Sequence, residues 1–560
     1  AKYPSVKHVV YDGISYSGML QANEASYGKR TLPTYHFDKA QTIVSLDADF
    51  LGTWLSPVEF AKAYSKGRKV SAKELRSSKH YQVESIQTIT GASADHRATC
   101  KPSETGAVAV ALYNAVVNGT QPALSSKALN ELVTKAAADL KKGNGLVVSG
   151  SNDVAVQTVI NAINDKVGAN GTTVNWAVTS NNKQGIDADM VALVSAMNAG
   201  QVGAIFMHGV NPVYDYYDAK NFAVGLSKVP VTVSFAERMD ETAQKCKYIV
   251  PAHNYLESWG DAEPKTNYFS LQQPGIAPLF KTRAFQDSLM IWAGATGSYA
   301  DYWKNYWMTK LGGQANFDKA LQDGVIEPAG AMANGGAAFS GNVADAIAKI
   351  QAKKGNALEL VIYQKVGIGY GGAWSNNPWL LEMPDPITRA TWDNYVCVSP
   401  ARAKQLDAEL TGHTEVDAKK RVLKVKTNNY EVLLPVIVVP GMHNDVIAIA
   451  VGYGRDAKVG RAAANTGKNA YPFVTYNGQT FDSHNTGVTL EKTDGFYEVA
   501  LTQTHSSYEA RPVIHEYTLE EFSKDPQVLL KERRANLAEF AKLPGDEDEK
   551  EGGEGNMSLA

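Results

Sequence analysis

From about residue 40 to 290, short uninterrupted apolar runs alternate with stretches of helical periodicity. Thr42-Ile43-Val44-Ser45-Leu46 reads as a buried strand. Ser56-Pro57-Val58-Glu59 then opens a helix, with serine as cap, proline preset for the first turn and glutamate placed to complete a capping box. Between Leu124 and Lys142, Leu129, Leu132, Val133, Ala136 and Leu140 fall on one helical face, and Gly143 ends the helix. Leu146-Val147-Val148 is the next strand and Asp153 to Asn164 the next helix. Ala204-Ile205-Phe206-Met207, Val229-Pro230-Val231-Thr232-Val233 and Lys247-Tyr248-Ile249-Val250 continue the series.

Such alternation predicts parallel sheet covered by helices on both faces. In that architecture the loops leaving the strand C-termini form the binding crevice. Three loops qualify: Asp47-Ala48-Asp49, Ser149-Gly150-Ser151-Asn152 and His208-Gly209-Val210-Asn211-Pro212. The last admits two readings. Its glycine and amides allow close approach of a phosphate, or Gly and Asn-Pro simply turn the chain.

Residues 291 to about 350 read as helical and aromatic, with Trp292, Trp303 and Trp307, and Ala329 to Gly341 as a flexible Gly/Ala-rich loop. Residues 357–400 return to strand and loop. From Tyr430 the character is β: Leu434 to Gly441 is a strand with a turn, and Val446 to Val451 is another, so this region is expected to be a separate barrel-like domain. Asp546-Glu547-Asp548-Glu549-Lys550-Glu551 and the glycines after it read as a solvated linker.

Composition narrows the chemistry. The 560 residues suggest roughly three to five domains. Hydrophobic residues at 44% and charged residues at 20% are the balance of a globular chain with a core. With 55 basic against 58 acidic residues, no strong basic field exists for nucleic acid or an anionic membrane. No apolar run is long enough to span a bilayer. Cys100, Cys246 and Cys397 lie far apart without any C-x-x-C, which argues against an iron–sulfur cluster, a structural zinc or a disulfide framework in these residues. No P-loop signature occurs. Gly367-Ile368-Gly369-Tyr370-Gly371-Gly372 formally matches G-x-G-x-x-G, but Trp374 and Pro378 follow where a helix should begin, so it reads as a flexible loop whose glycines permit close packing. His36, His80, His96, His208, His253 and His443 show no metal spacing, and no Gly-x-Ser-x-Gly motivates a catalytic triad.

Several segments, in order, resemble the molybdopterin oxidoreductase superfamily of the dimethyl-sulfoxide-reductase type. Thr42 to Trp54 resembles the strand and loop holding one pterin nucleotide, and Ala204 to Val213 the "G-x-N-P" loop of the second. Glu241-Thr242-Ala243, Tyr248 to Pro251 and Glu257 to Gly260 resemble the family's "ET-A … VLP … E--G" stretch. Gly441, Gly452-Tyr453-Gly454-Arg455 and Gly467 to Tyr471 resemble its C-terminal barrel. Within the superfamily, Thr90 to Arg97, Asn376 to Leu380 and Pro384 to Thr388 are similar to the B subunit of bacterial alternative complex III.

The resemblance implies a multi-domain α/β fold with parallel-sheet domains and a C-terminal β-barrel. Its expected divisions are 1–35 as remnant of an N-terminal region, 36–300 as parallel-sheet α/β domains, and 301–428 as a helical insertion and return to the core. A barrel-like domain over 429–515 and a helical and acidic linker tail over 516–560 complete it. It also implies a portion of a longer polypeptide whose iron–sulfur clusters sit in a ferredoxin-like part absent here. The implied partners are that ferredoxin-like domain, a multihaem cytochrome c and integral quinol-binding subunits, on the periplasmic face of the bacterial cytoplasmic membrane.

A molybdenum enzyme of this type holds its metal through a Cys, selenocysteine, Ser or Asp near positions 12–29; no cysteine lies there, though Asp12, Ser15, Ser17 and Ser26 qualify by type. Asp47 and Asp49, if both faced a diphosphate, would repel it by roughly several kcal/mol once desolvated. The expectation is therefore a retained fold without cofactor, working as a scaffold in quinol oxidation, with no catalytic, cofactor-binding or metal-binding residue assigned. The alternatives are an active molybdenum or tungsten pterin oxidoreductase subunit and an unrelated soluble α/β enzyme.

Overall fold

Continuous apolar strands need cover on both faces, and the chain supplies it first around Thr42–Leu46. In a computed structural model, which describes residues 4–70, 77–328, 330, 334–408, 419–502 and 515–540, this strand is central to a four-stranded parallel sheet. The strand order is His96–Thr99, Lys79–Glu84, Thr42–Leu46, Gly145–Ser149. Strict alternation divides the side chains. Val44, Leu46, Val83 and Val147 face a cluster built with the helices Thr105–Val117, Lys127–Leu140 and Val154–Lys166. Ile43, Leu146 and Val148 face Phe37, Phe50, Trp54 and Phe60 on the other side.

The helix signals are expressed with one difference. Ser126 and Asp153 cap their helices through side-chain oxygens. Ser56 precedes Pro57 at the start of Pro57–Arg68, but its hydroxyl donates to the Glu59 carboxylate at 3.3 Å instead of accepting a helix amide, so the expected capping box is not made.

A second parallel sheet, Ala204–Met207, Val231–Ser234 and Tyr248–Ile249, is separate from the first. The expected alternation thus yields two parallel sheets. A five-stranded sheet of Leu32–Tyr35, Val174–Ser180, Gly260–Lys265, Tyr268–Gln272 and Val325–Ile326 is antiparallel. Beside it Trp303 and Trp307 are buried and both donate their indole N–H to Asp261 Oδ2, at 2.7 Å each.

The C-terminal strands form a seven-stranded mixed sheet ordered His484–Asn485, Glu359–Tyr363, Val446–Ala450, Val396–Val398, Glu431–Val438, Lys419–Lys426, Thr489–Glu498. Among the described residues this sheet is open, with His484–Asn485 and Thr489–Glu498 at its edges, so a closed barrel over 429–515 is not shown. The physical reason is pairing: Val446–Ala450 and Glu431–Val438 bond to Glu359–Tyr363 and Val396–Val398 instead of closing on one another.

The chain divides into two compact units, residues 1–411 with 417–503, and residues 412–416 with 504–560. Among its described residues the second unit holds the helices Leu519–Lys524 and Val528–Phe540. The acidic run 546–551, and residues 329 and 331–333 of the Gly/Ala-rich loop, lie outside the described residues. No helix among the described residues is long and apolar enough to cross a membrane.

Candidate functional site

The C-terminal ends of the first parallel sheet carry two of the three predicted loops. Asp47 turns through the left-handed region at φ 56°. Its Oδ1 accepts from the amide and hydroxyl of Ser85 at 3.1 and 3.2 Å, and its Oδ2 from Thr105 at 2.6 Å. Asp49 accepts from the amide and hydroxyl of Thr90 at 3.2 and 2.7 Å. Burial raises its pKa, opposed by the Thr90 bonds. Both carboxylates are therefore turned onto donors of the chain itself.

The second loop is packed shut. A Cβ on Gly150 would stand 2.2 Å from the Asp47 carbonyl oxygen, and one on Gly18 2.1 Å from that of Asn152. Asn152 accepts from the Gly18 amide at 2.8 Å and donates to the Phe481 carbonyl at 2.8 Å and to Asp187 Oδ2 at 3.2 Å. The N-terminal helix Ser17–Tyr27 and the chain around Phe481 thus fill the space above this strand end.

Of the four residues considered as metal ligands, Ser15 and Ser17 meet on Asp187, Asp12 bonds the nearby Gly185, and Ser26 lies apart. Ser15 donates to Asp187 Oδ2 at 2.8 Å, and Ser17 accepts from the Asp187 amide at 3.2 Å. Asp12 accepts from the Gly185 amide at 2.8 Å and lies 3.6 Å from Lys183 Nζ. Ser26 is nine positions beyond Ser17 on the same helix, about 13 Å along its axis, with its buried hydroxyl unpaired. Asp187 holds the first two together and also accepts from the Phe481 amide at 2.7 Å; burial lifts its pKa to about 6.

The third loop is where the family-like segments meet. Asn211 donates to Glu241 at 2.7 Å and accepts from the Thr242 hydroxyl at 2.7 Å and amide at 3.0 Å. Arg455 holds Glu241 with two bonds, Nε at 3.0 Å and Nη2 at 2.9 Å. Its guanidinium lies 4.2 Å from the Tyr214 ring centroid, and Nη1 donates to the Gly372 carbonyl and to Ser375. Burial alone would raise the Glu241 pKa, but the Arg455 bonds hold it below the usual carboxylate value. Tyr214 donates to the Tyr453 carbonyl at 2.7 Å, and Asn469 to the Tyr214 carbonyl at 3.0 Å. The Gly367–Gly372 loop joins by close approach: a Cβ on Gly371 would stand 2.4 Å from Gly452 Cα.

In His208–Pro212 the chain turns at Gly209, which has φ 67° with open space around it, and Pro212 starts a short helix. Ser375, Tyr214, Asp187 and Asp215 escaped the sequence reading. The only signal for Asp215 was an acid set among tyrosines. It is buried, its Oδ1 has no partner among the described residues, and burial lifts its pKa to about 7. No group of His, Cys, Asp and Glu among the described residues has the geometry of a metal centre. A cavity of about 310 Å³ is lined by Leu55, Glu59, Phe60, Asn182, Lys265 and Tyr268 among others.

No family model matches the chain. The menaquinone reductase, molybdopterin-binding-like subunit of Nitratidesulfovibrio vulgaris, strain Hildenborough, is 25% identical over 375 residues, which cover 60% of this chain and 50% of that protein. The chain therefore spans about half the length of this curated relative. Acetylene hydratase from Pelobacter acetylenicus shares the fold, with a TM-score of 0.59 at 12% identity over 86% of this chain and 81% of that one. Together with the convergence of Asn211, Glu241 and Arg455, these likenesses support a molybdopterin-oxidoreductase-like protein.

Proposed function

We propose that this chain is the cofactor-free, molybdopterin-like scaffold portion of a membrane-bound, quinone-linked respiratory complex, of the alternative complex III type. What carries the reading is that donors at Ser85, Thr90 and Arg455 are already taken by carboxylates of the chain. A pterin diphosphate needs amide and hydroxyl donors at the strand ends. Here the Ser85 and Thr90 donors are taken by Asp47 and Asp49, and Arg455 is taken by Glu241. A diphosphate would have to displace carboxylates of its own sign from these donors, so the residues present do not fit it. The named relative, a menaquinone reductase subunit, supports the quinone-linked setting.

On this reading the chain performs no chemistry. It positions redox partners: a ferredoxin-like domain carrying iron–sulfur clusters, a multihaem cytochrome c and integral quinol-binding subunits, on the periplasmic side. The test is metal and pterin analysis of the purified complex containing this chain. Iron without molybdenum, tungsten or pterin is expected. Stoichiometric molybdenum or tungsten with pterin would overturn the proposal and make Asp12, Ser15, Ser17 and Ser26 the first positions to mutate.

A further inference from the structure

The start of the helix Pro57–Arg68 breaks two local rules. Leu55, just before it, holds φ 52°, in the left-handed region that a branched side chain adopts only under constraint. Ser56 gives the helix no side-chain cap, and its hydroxyl turns instead to the Glu59 carboxylate at 3.3 Å. Leu55, Ser56 and Glu59 all line the cavity of about 310 Å³. Unfavourable local choices that the fold nevertheless holds in place collect where a ligand is bound.

Four segments distant in sequence wall the cavity: the strand Leu32–Tyr35, this helix start, the end of the strand Val174–Ser180, and the hairpin of Gly260–Lys265 with Tyr268–Gln272. Pro33, Phe60, Pro264 and the Tyr268 ring give it flat, apolar sides, which take a planar ring by offset or edge contact. Its volume is at the lower end of small-molecule sites, enough for one or two fused rings. Of the lining residues only Glu59 and Lys265 are charged. They bond each other at 2.5 Å, latching the helix to the hairpin, and the ammonium lies 5.3 Å from the Tyr268 ring centroid. A ligand anion would have to share Lys265 with Glu59, and a ligand cation would have to share Glu59 with Lys265; an uncharged ligand disturbs neither. The remaining polar capacity is neutral. Among the described residues Asn182 bonds its neighbours through its backbone, which leaves its side-chain amide to offer a donor and an acceptor.

We propose that this cavity binds an uncharged, planar aromatic molecule of one or two fused rings that carries a hydroxyl or carbonyl oxygen. The ring lies against Phe60, Tyr268 and the two prolines, and its oxygen meets the Asn182 amide. Asp47, Asp49, Asn211, Glu241 and Arg455 do not line the cavity, so the inference does not rest on the scaffold reading.

The test is equilibrium dialysis of the full chain against four probes of one size: 2-naphthol, naphthalene, 2-naphthoate and 2-naphthylmethylammonium. Saturable binding of one 2-naphthol per chain is expected, about tenfold tighter than either charged probe. Asn182 is exposed and Lys265 and Tyr268 are half-buried, so substitutions there leave the core intact. Tyr268→Ala should weaken 2-naphthol about fivefold. Asn182→Ala should weaken 2-naphthol about threefold and leave naphthalene unchanged. Lys265→Met leaves Glu59 without its cation and should admit 2-naphthylmethylammonium, which takes the place of the lost ammonium beside Tyr268. Absence of saturable 2-naphthol binding to wild type would overturn the proposal, as would tighter binding of either charged probe. So would Tyr268→Ala and Asn182→Ala variants that bind 2-naphthol like wild type.

Discussion

Arg455 is the side chain on which the third loop turns. Its side chain is 3% exposed and that of Glu241 13%, so neither charge is screened by water. Removing one partner of such a pair leaves the other buried and uncompensated, which costs about 3–5 kcal/mol. Arg455→Met should therefore lower the urea-unfolding free energy by that amount. Arg455→Lys should recover only part of it, because an ammonium cannot make the two-bond fork. A loss below about 1 kcal/mol in Arg455→Met would show the pair to be an ordinary surface bridge.

Asp215 supplies a pH test at the same scale. Burial lifts its carboxyl from 3.8 to about 7, with Arg455 opposing, while the unfolded chain ionises at the usual value. The unfolded state therefore sheds its proton first as pH rises, and stability contributed by the protonated folded form falls between about pH 4 and pH 7. Asp215→Asn should remove this part of the slope in unfolding free energy against pH. Equal slopes in wild type and variant would contradict the assignment of a protonated Asp215.

At the scale of elements, two glycines separate close packing from conformation. Gly371 has φ 97° and its Cα region abuts Gly452, so Gly371→Ala must move the Gly452 strand end and should lower Tm well beyond the left-handed penalty. Gly209 has φ 67° in open space, and Gly209→Ala should cost only about 1–2 kcal/mol. Similar losses at both positions, read by thermal unfolding, would refute the close-approach account.

The same scale shows which elements the chain announces. Thr42–Leu46 and Gly145–Ser149 were legible because buried parallel strands are unbroken apolar runs, and Ala204–Met207 because it is equally apolar, although only Met207 in it is buried. Val174–Ser180 was missed. Its sequence VNWAVTS mixes polar and apolar residues because it pairs antiparallel in a partly exposed sheet. The strand order of the C-terminal sheet was missed for another reason: Val446–Ala450 finds its parallel neighbour in Glu359–Tyr363, more than eighty residues earlier, and local pattern carries no such register.

For the whole molecule, every hydrophobic cluster among the described residues lies within residues 1–503. Deleting 504–560 should leave the near-ultraviolet circular dichroism and the main unfolding transition unchanged. A shifted transition would show that the second unit contributes to the core.

The sequence by itself determined the parallel-strand segments, the three crevice loops and the family-like segments that contain Asn211, Glu241 and Arg455. Each is a local pattern of apolar runs, glycines and charged residues. Only the tertiary structure decided where their polar groups point. Asp47 and Asp49, which would repel a diphosphate if both faced it, face Ser85, Thr105 and Thr90, and Ser15 and Ser17 meet on Asp187 while Ser26 lies apart. A buried carboxylate must find donors somewhere in the fold, and which donors it finds depends on chain segments brought together over tens to hundreds of residues.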